Sequence, residues 1–267
     1  MKKHLKRLSH FLLYKYLIIF NTEVKKQRKN SKSIPILIIN YNQLENLKYL
    51  VSFLIERGFE NIIIIDNKST YAPLLEYYNE IRDTVTIEMM SDNLGHMVFF
   101  ENKQLQEKYG QGYYCITDAD IRPNDNLPDN FLDTLIRTLD KYQFNVLKAG
   151  FALDLESIPE YYPFREKVIK WEQQFWEHQL DTNIYKAGID TTFALYKPKY
   201  PINFKVKPIR FYEGIRIAGN FTSQHMGWYL DPKNLTEEQL FYMRTSSSSS
   251  SWKFDEDGNL AATETNY

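Results

Sequence analysis

Short runs of branched apolar residues alternate with amphipathic segments over the first half of the chain, and this alternation most constrains the fold. The runs IPILIIN (34–40), NIIIID (61–66) and YYCITDAD (113–120) are typical of strands buried on both faces. Between the first two, leucines at helical spacing predict a helix that ends at Gly58. Further helices are predicted at 73–81, 96–109 and 129–141, and further strands at 84–90 and 184–198. Strands that alternate with helices predict an α/β fold, with a mostly parallel sheet flanked by helices.

Cys115 is the single cysteine of the chain. One thiol can form neither a disulfide framework nor a thiolate metal cluster, so the sequence predicts a reducing compartment, with the cytosol as the default. The 267 residues are enough for one large domain with its own core. No internal repeat or long linker divides them.

The first 32 residues form a distinct basic segment. They hold ten Lys or Arg and one Glu, which gives a net charge of +9 (10 − 1). Because the whole chain has a net charge of −1, the rest of it carries −10 (−1 − 9). The apolar run around Lys15 is shorter than the roughly 20 residues that span a bilayer, and it lacks the cleavage site of a signal peptide. Helical spacing places apolar residues on one face: Leu5, Leu8, Leu12, Tyr16 and Ile19.

Two interpretations of this amphipathic helix remain open. It lies on an anionic membrane surface, which would place a cytoplasmic protein peripherally at the inner face of the membrane. Alternatively, it docks on the protein's own body or on a second subunit, as most amphipathic helices do.

Polar residues follow every predicted strand of the first half. In parallel sheets, ligands bind just beyond the carboxyl ends of the strands. These ends supply the following candidates: Asn40, Tyr41, Asn42, Asp66, Asn67, Asp92, Asn93, Asp118 and Asp120.

Asp118 and Asp120 form a DxD pair at the end of the fourth predicted strand. Residues i and i+2 of a strand point to one side, so the two carboxylates are expected to converge. Convergent carboxylates repel unless a cation lies between them, and oxygen ligands favour Mg²⁺ or Mn²⁺, with a diphosphate as the partner. An alternative is that Asp118 caps the following turn while Asp120 pairs with Arg122. A second DxD occurs in the polar C-terminal tail, where no function is expected.

The motifs up to this point resemble family 2 of the metal-dependent GT-A fold glycosyltransferases, over residues 33–155 and more loosely to about 230. PILIINYNQLENLKYLVSFL is similar to the family's opening strand and helix, and IIIIDNKST to its VVDNxS element. SDNLGHM resembles its NxG turn, and YYCITDADIRP its DxD strand. The four motifs occur in the family's order.

The resemblance implies roles for the strand-end residues. Asp66 would accept a hydrogen bond from the imide N–H of uracil, since a carboxylate only accepts. The rest of the nucleotide site would comprise Asn40, Tyr41, Asn42, Asn67, Asn93, Gly95, Asp118 and Asp120, with the base near the first strand and the ribose and phosphates near the last. Asp120 and Asp118 would hold the metal together with His225, for which His96 is the competing candidate.

The resemblance also implies an inverting mechanism with a carboxylate base. Asp190 is the first candidate, with Glu213 and Asp154 as alternatives; Asp190 as the cap of a backbone turn remains open. Trp228 and Trp252 are candidates for the acceptor site. The stripe of Trp171, Phe175 and Trp176 is interpreted as core rather than as a sugar platform, and the serine run 246–251 as a flexible linker rather than a lid over the donor.

The predicted activity is metal-dependent, inverting transfer of a sugar from a UDP-sugar to a glycan or glycoprotein, in a bacterial surface-glycan or glycoprotein pathway and without nucleic acid as a partner. The domain division is residues 1–32 as the N-terminal helix, 33–235 as the catalytic domain and 236–267 as a flexible segment. Within the catalytic domain, 33–125 would bind the nucleotide and 126–235 the acceptor. The alternatives are a sugar nucleotidyltransferase, or a non-catalytic membrane-associated scaffold or binding module.

Overall fold

The computed structural model describes residues 2–144, 146–190, 192–200 and 213–246, with side chains from residue 8 onward. Helices and strands alternate through the first half, as the sequence predicts. The α-helices are α1 (Lys2–Phe20), α2 (Thr22–Lys29), α3 (Glu45–Glu56), α4 (Ala72–Ile81), α5 (Val98–Glu101), α6 (Lys103–Tyr109), α7 (Phe131–Lys141), α8 (Arg165–Glu172) and α9 (Glu237–Thr245). The strands are β1 (Ile36–Asn40), β2 (Ile62–Asp66), β3 (Thr86–Met89), β4 (Tyr114–Asp118), β5 (Ile121–Pro123), β6 (Lys148–Leu153), β7 (Gln179–Asp181), β8 (Ile184–Gly188), β9 (Ala194–Tyr196) and β10 (Glu213–His225).

One mixed sheet joins the strands in the order β3-β2-β1-β4-β9-β6-β10-β8-β7, with β5 paired to β10. The half formed by β3, β2, β1 and β4 is parallel. Beyond it, β9 runs antiparallel between β4 and β6, and β10 is parallel to β6 but antiparallel to β8. The predicted α/β class is confirmed, with the parallel strands confined largely to the first half of the chain.

Strands β1 and β2 are buried along their whole length, because helices cover both faces of the sheet. Alternate side chains of β1 enter different core clusters. Ile36 and Ile38 pack in the cluster that includes the buried side of α3, whereas Leu37 and Ile39 pack with aromatic residues of α5 and β4. This two-sided burial explains why the runs are continuously apolar rather than alternating.

Gly58 ends α3 in the left-handed conformation predicted for a helix stop, with φ +74°. Its N–H donates to Ile55 O, and the N–H of Phe59 donates to Leu54 O. The single helix predicted at 96–109 is wrong, because the chain breaks at Asn102. The side chain of Asn102 accepts from the N–H groups of Gln104 and Leu105 and thereby starts a new helix, α6.

The strand predicted at 184–198 is also wrong in extent. It is divided into β8 and β9, which lie three places apart in the sheet order, so the chain leaves the sheet after Gly188 and re-enters it at Ala194. Asp190 lies in this connection and not between the neighbours of a continuous strand.

The basic N-terminal segment is two helices that dock on the main body of the protein. Asn21 separates them and caps α2 by accepting from Val24 N–H. Gln27 is buried and bonds both backbone groups of Tyr113, accepting from its N–H (2.7 Å) and donating to its carbonyl (3.0 Å). Arg28 forms an ion pair with Asp140 at 2.6 Å. In the described part of the chain, no helix is both long enough and apolar enough to cross a membrane.

The C-terminal segment predicted to be flexible, 236–267, begins with an ordered helix. Thr236 and Gln239 form a capping box at the start of α9, which stabilises the helix locally. Trp252 and most of the serine run lie outside the described residues.

Gln27→Ala is expected to lower the free energy of unfolding by about 1–3 kcal/mol. The substitution leaves the buried N–H and carbonyl of Tyr113 without their side-chain partners, which costs the desolvation of those groups. Urea unfolding monitored by circular dichroism measures the change. Gln111→Ala is the matched control, since Gln111 is exposed and bonds only to Glu107 O. Equal stability of the two variants would contradict the docking role.

Candidate active site

The carboxyl ends of three parallel strands meet at one edge of the sheet. Asn40 of β1 lies opposite Asp66 of β2, and Ile39 lies opposite Asp118 of β4. The backbone continues this alignment past the strands, because Ala119 N–H donates to Ile39 O and Met90 N–H donates to Asp66 O. The residues predicted from the strand ends are therefore neighbours in space.

Asp66 is fully buried in a small hydrogen-bond network. Its two carboxylate oxygens accept from Ser69 N–H (2.7 Å) and from the Tyr78 hydroxyl (2.6 Å). Tyr78 also accepts from the Asn40 amide at 3.0 Å, while Oδ1 of Asn40 is buried with no hydrogen-bond partner in the described structure. Burial, followed by the charge of Asp66, raises the pKa of Tyr78 well above its ordinary value. Uracil recognition by Asp66 stays a prediction; each carboxylate oxygen has a second lone pair that could accept another N–H.

Asn42 and Tyr41 connect this edge to α9. Asn42 adopts a left-handed conformation (φ 50°) and its side-chain oxygen accepts from the N–H groups of Thr70 and Tyr71 at the start of α4. Its amide donates to the Thr245 hydroxyl at 3.0 Å, and the Tyr41 hydroxyl donates to Thr245 O at 3.0 Å. The end of α9 therefore covers the residues predicted to flank the base.

Glu238, near the start of α9, caps α3. Its carboxylate accepts from the N–H groups of Leu44 and Glu45 at the start of α3. The residue at the N-cap position of α3, Leu44, has no side chain that could cap these groups. Burial raises the pKa of Glu238. Helix α9 is thus tied to the strand-end edge at both of its ends.

The loop after β3 is held against the end of β2. The Asn67 amide donates to Gly95 O at 3.0 Å, and its side-chain oxygen accepts from Leu94 N–H. Asn93 accepts from the N–H of Gly95, which has the left-handed φ of +67°. The SDNLG turn therefore lies beside Asn67, the residue that follows β2, although Asn93 and Gly95 themselves are exposed.

A cavity of about 530 Å³ opens next to the end of β4 and collects residues that are far apart in the sequence. Its wall contains Asp118, Asp190 and both candidate histidines, His96 and His225. The remaining lining residues comprise three aliphatic side chains, three aromatic rings, one buried ion pair, two uncharged polar residues and a glycine: Ile121, Leu153, Ile189, Trp171, Phe175, Trp228, Glu172, Arg216, Gln174, Thr192 and Gly188.

The two acids of the DxD pair occupy different environments. β4 ends at Asp118, and Ala119 and Asp120 form a turn, so the expectation that strand alternation points both carboxylates to one side is wrong. Asp118 is half-buried and lines the cavity. Asp120 is buried and is not among the lining residues; its Oδ2 lies 3.7 Å from Nε2 of His225, because β5 and β10 pair next to this turn.

His225 and Trp228 each present an unsatisfied polar atom. Nδ1 of His225 and Nε1–H of Trp228 are buried with no hydrogen-bond partner in the described structure. The two rings are in contact, with centroids 4.9 Å apart. Because buried polar atoms are normally paired, these two atoms of the cavity wall have hydrogen-bonding capacity that a bound molecule could use.

The three candidate bases lie in different places. Asp190 is exposed and lines the cavity with Asp118 and His225. Asp154 lines a separate cavity of about 350 Å³, where its carboxylate accepts from the N–H groups of Glu156 and Ser157 as the cap of a turn. Glu213 lies at the start of β10, 3.9 Å from the Lys186 ammonium, and is not among the residues that line either cavity.

A buried ion pair in the cavity wall and a buried lysine have no counterpart in the sequence prediction. Lys148 is fully buried and donates to the Tyr196 hydroxyl at 3.1 Å. Burial lowers the pKa of Lys148 to about 7, an effect that Arg216 reinforces and Asp190 opposes. Arg216 forms a buried ion pair with Glu172 at 2.7 Å and lies over the Phe175 ring. A lysine inside the apolar run NVLKAGFALDL is the signal that sequence inspection could have used.

The aromatic residues are only partly where they were predicted. Trp171 is 42% exposed and lines the cavity with Phe175, in contrast to the predicted core role. Trp176 packs on Tyr185 with ring centroids 5.0 Å apart. Trp228 lines the cavity, as expected for an acceptor-site residue, but is only 3% exposed.

No group of three or more His, Cys, Asp and Glu side chains among the described residues is arranged to hold a metal ion by itself. The donors at this edge are Asp118 at the cavity wall and the adjacent pair of Asp120 and His225. This set matches Mg²⁺ or Mn²⁺ chemistry, in which one or two carboxylates bind the ion and substrate phosphates and water complete its coordination.

Solved structures resemble the chain in part, at low sequence identity and with TM-scores below 0.5. No protein-family model matches the chain, and no curated protein matches it in sequence. The mannosyltransferase PcManGT from Pyrobaculum calidifontis, in complex with GDP-Man and Mn²⁺, is similar over 93% of this chain and 78% of its own, with 9% identity and a TM-score of 0.43. S. aureus TarS 1-349 is similar over 79% of this chain and 69% of its own (11% identity, TM-score 0.42). An apo UDP-glucose pyrophosphorylase is similar over 71% of this chain and 91% of its own chain, with 13% identity and a TM-score of 0.40. Likenesses of this size do not identify a substrate or a reaction.

The buried Lys148 is expected to make stability depend on pH. Its pKa of about 7 in the folded protein lies below the ordinary 10.5, so between these values the unfolded chain binds more protons and stability rises with pH. The slope contributed is about 1.4 kcal/mol per pH unit in that window. In Lys148→Met this contribution is lost, and the curve of unfolding free energy against pH is flatter than that of the wild type from pH 7 to 10. Urea melts at several pH values measure it.

A control for this experiment is Lys108→Met. Lys108 is exposed and pairs with Glu88 at the surface, so its substitution is expected to leave the slope between pH 7 and 10 unchanged. Parallel curves for the wild type and Lys148→Met would contradict the buried, neutral state of Lys148.

Proposed function

We propose that the protein transfers a sugar from a nucleoside diphosphate sugar, with uridine as the favoured nucleoside, to a glycan or glycoprotein acceptor. The observation that carries this proposal is the 530 Å³ cavity, where Asp118, Asp190 and His225 converge at the carboxyl edge of the sheet. The four sequence motifs that resemble GT-A glycosyltransferases supply the nucleotide-binding half, 33–125. The acceptor half, 126–235, supplies Asp190, His225 and the aromatic residues of the cavity.

The proposed metal is Mn²⁺ or Mg²⁺, held by Asp118 and Asp120 with His225 and by the phosphates of the donor. When bound, the metal would supply positive charge to the diphosphate that departs. Asp118 faces the cavity while Asp120 is buried and does not line it, which favours Asp118 for contacts shared between the metal and the donor sugar.

Asp190 is the proposed base. It is exposed at the cavity, so an acceptor hydroxyl can reach its carboxylate. In the transfer step Asp190 takes the hydroxyl proton as the acceptor oxygen bonds to the anomeric carbon. The bond from that carbon to the phosphate oxygen breaks on the opposite face, and its electron pair leaves with the nucleoside diphosphate. Attack opposite to the departing phosphate inverts the anomeric configuration.

The sugar would lie against the aromatic wall of the cavity. Trp171 and Phe175 present ring surfaces on one side, and Trp228 presents a buried N–H without an acceptor. An indole N–H only donates, so a sugar hydroxyl or a phosphate oxygen is the partner it would take.

In the first functional test, UDP binding is measured by calorimetry with and without Mn²⁺. The wild type is expected to gain about tenfold or more in affinity with the metal, because the ion joins protein carboxylates to phosphates. Asp118→Asn and Asp120→Asn should lose this gain, since each removes a negative ligand. Uridine, which lacks phosphates, should bind equally with and without Mn²⁺.

Asp129→Asn serves as the control variant, because Asp129 is exposed on the surface, 3.8 Å from Arg57. It should bind UDP like the wild type. A wild type in which Mn²⁺ leaves UDP affinity unchanged, or an Asp120→Asn variant that keeps the full gain, would show that the proposed metal site is wrong.

The second functional test concerns the base. Asp190→Asn is expected to retain UDP affinity while turnover falls by about 10²–10⁴-fold, because the amide cannot take the acceptor proton. Release of UDP from a panel of UDP-sugars, with an acceptor mixture, measures turnover. Asp154→Asn and Glu213→Gln are the comparison variants, and a larger loss in either of them would move the role away from Asp190.

The same assay separates the alternative reaction. A sugar nucleotidyltransferase releases pyrophosphate from a nucleoside triphosphate and a sugar phosphate, whereas the proposed activity releases UDP. The connection after β1, residues 41–44, has the sequence YNQL and contains neither a glycine nor a basic residue for binding a triphosphate. Pyrophosphate release without UDP release would overturn the proposal.

A further inference from the structure

Helix α1 is apolar on two opposite faces. One face docks on the body of the protein through Tyr14 and Leu17, which are 1% and 4% exposed. Tyr14 bonds to the hydroxyl of Tyr113 and to Asp140, so this face is well anchored. The other face carries five large apolar side chains that are about half exposed, here called the outer stripe: Leu8 (47%), Leu12 (57%), Tyr16 (58%), Ile19 (54%) and Phe20 (61%).

Helix geometry explains why docking leaves the outer stripe uncovered. Leu8, Leu12, Tyr16 and Ile19 follow each other at intervals of four, four and three residues, and Phe20 lies four residues after Tyr16, which places all five on one side of the helix. Leu12 and Tyr14 are two residues apart, about 200° around the axis, so they point in nearly opposite directions. The stripe coincides with the apolar face predicted from the sequence, as far as side chains are described. Docking on the protein's own body therefore uses a different face from the predicted one.

The outer stripe is large for a free surface. Five side chains of this size and exposure present on the order of 500 to 600 Å², the upper end of the range for the largest apolar patch on a monomeric protein, and such patches are often functional. A stable dimer buries about 800 Å² on each partner, more than the stripe supplies. The area fits a shallow contact better than a subunit interface.

Charge favours an anionic membrane over a second copy of the chain as the partner of the outer stripe. Helix α1 contains no Asp or Glu, and residues 1–32 carry ten basic residues against one acid. Lys25, Lys26 and Lys29 are exposed on the adjoining helix α2. A symmetric dimer would place this basic segment against its own copy, where like charges repel. An anionic lipid surface supplies the opposite charge together with an apolar layer.

We propose that the outer stripe of α1 inserts into the interfacial region of an anionic bilayer and holds the protein at the membrane surface. The helix lies in the plane of the membrane, with Leu8, Leu12 and Ile19 in the upper acyl region and Tyr16 and Phe20 at the level of the headgroups. The docked face keeps α1 fixed to the body, so the catalytic domain is carried to the surface as one unit. This inference does not depend on the proposed transferase activity.

The test uses flotation of the full chain with vesicles. On vesicles with about one third phosphatidylglycerol, binding at low salt is expected to exceed binding to pure phosphatidylcholine by about tenfold or more, and to decrease with added salt. Leu12→Glu and Ile19→Glu are each expected to reduce binding by about tenfold, because a charge replaces an inserted apolar group. Leu180→Glu is the matched control, since Leu180 is an exposed leucine on β7 and does not belong to the outer stripe. Equal binding to both kinds of vesicle, or wild-type binding by Leu12→Glu, would overturn the proposal.

A second measurement covers the case in which the glutamate variants fail to fold. The native thiol, Cys115, is buried, so Leu12→Cys can be labelled selectively with an environment-sensitive fluorophore. Its emission is expected to shift to the blue with anionic vesicles, whereas a Leu180→Cys label should not shift. Absence of a shift at position 12 would contradict insertion. A concentration-dependent dimer in sedimentation, abolished by Ile19→Glu, would assign the stripe to a second copy and overturn the membrane assignment.

Discussion

The register of three parallel strands is the constraint on which the candidate site depends. β1 pairs with β2 on one side and with β4 on the other, so residues that are 26 (Asn40 to Asp66) and 52 (Asp66 to Asp118) positions apart in sequence arrive at one edge. A shift by one residue in either pairing would turn every side chain of the shifted strand to the opposite face. Continuous burial on both faces specifies this register strongly, because any slip would place the terminal acids inside the core or an isoleucine at the edge.

The second half of the chain completes the cavity by a different arrangement. β9 and β6 extend the sheet, and β10 brings His225 back to the turn that follows β4. The connection between β8 and β9 passes over the sheet and delivers Asp190. The buried ion pair of Arg216 and Glu172 is part of this wall, and Lys148 on β6 is buried without lining it. Such groups are costly to bury and give little stability compared with apolar residues, so their presence in this region favours a functional role for it.

Two elements, the N-terminal helices and α9, bond to residues at the ends of the sheet without being part of it. The N-terminal helices supply a side-chain amide, Gln27, that bonds the backbone just before β4 as a neighbouring strand would. At the other end, α9 caps α3 through Glu238 and covers the edge near Asn42. Asp66 is enclosed beneath this edge by Ser69 and Tyr78. Because Asp66 is buried, a nucleotide base could reach its carboxylate only if neighbouring atoms move.

The sequence by itself determined the α/β class, the order of β1, α3, β2, α4, β3 and β4, and the placement of Asp66 and Asp118 at strand ends, because burial periodicity and turn chemistry are local properties. It did not determine the turn at Asp120, the division of 184–198 into two strands, or the helix α9 in the segment predicted to be flexible. These features depend on which strands and helices become neighbours. Only the tertiary structure placed Asp190 in one cavity with Asp118, a cavity that neither Glu213 nor Asp154 lines, and only it revealed that α1 docks through Tyr14 and Leu17. The physical reason is the same in each case. The hydrophobic pattern of a segment indicates which face must be buried, whereas long-range packing determines which element buries it.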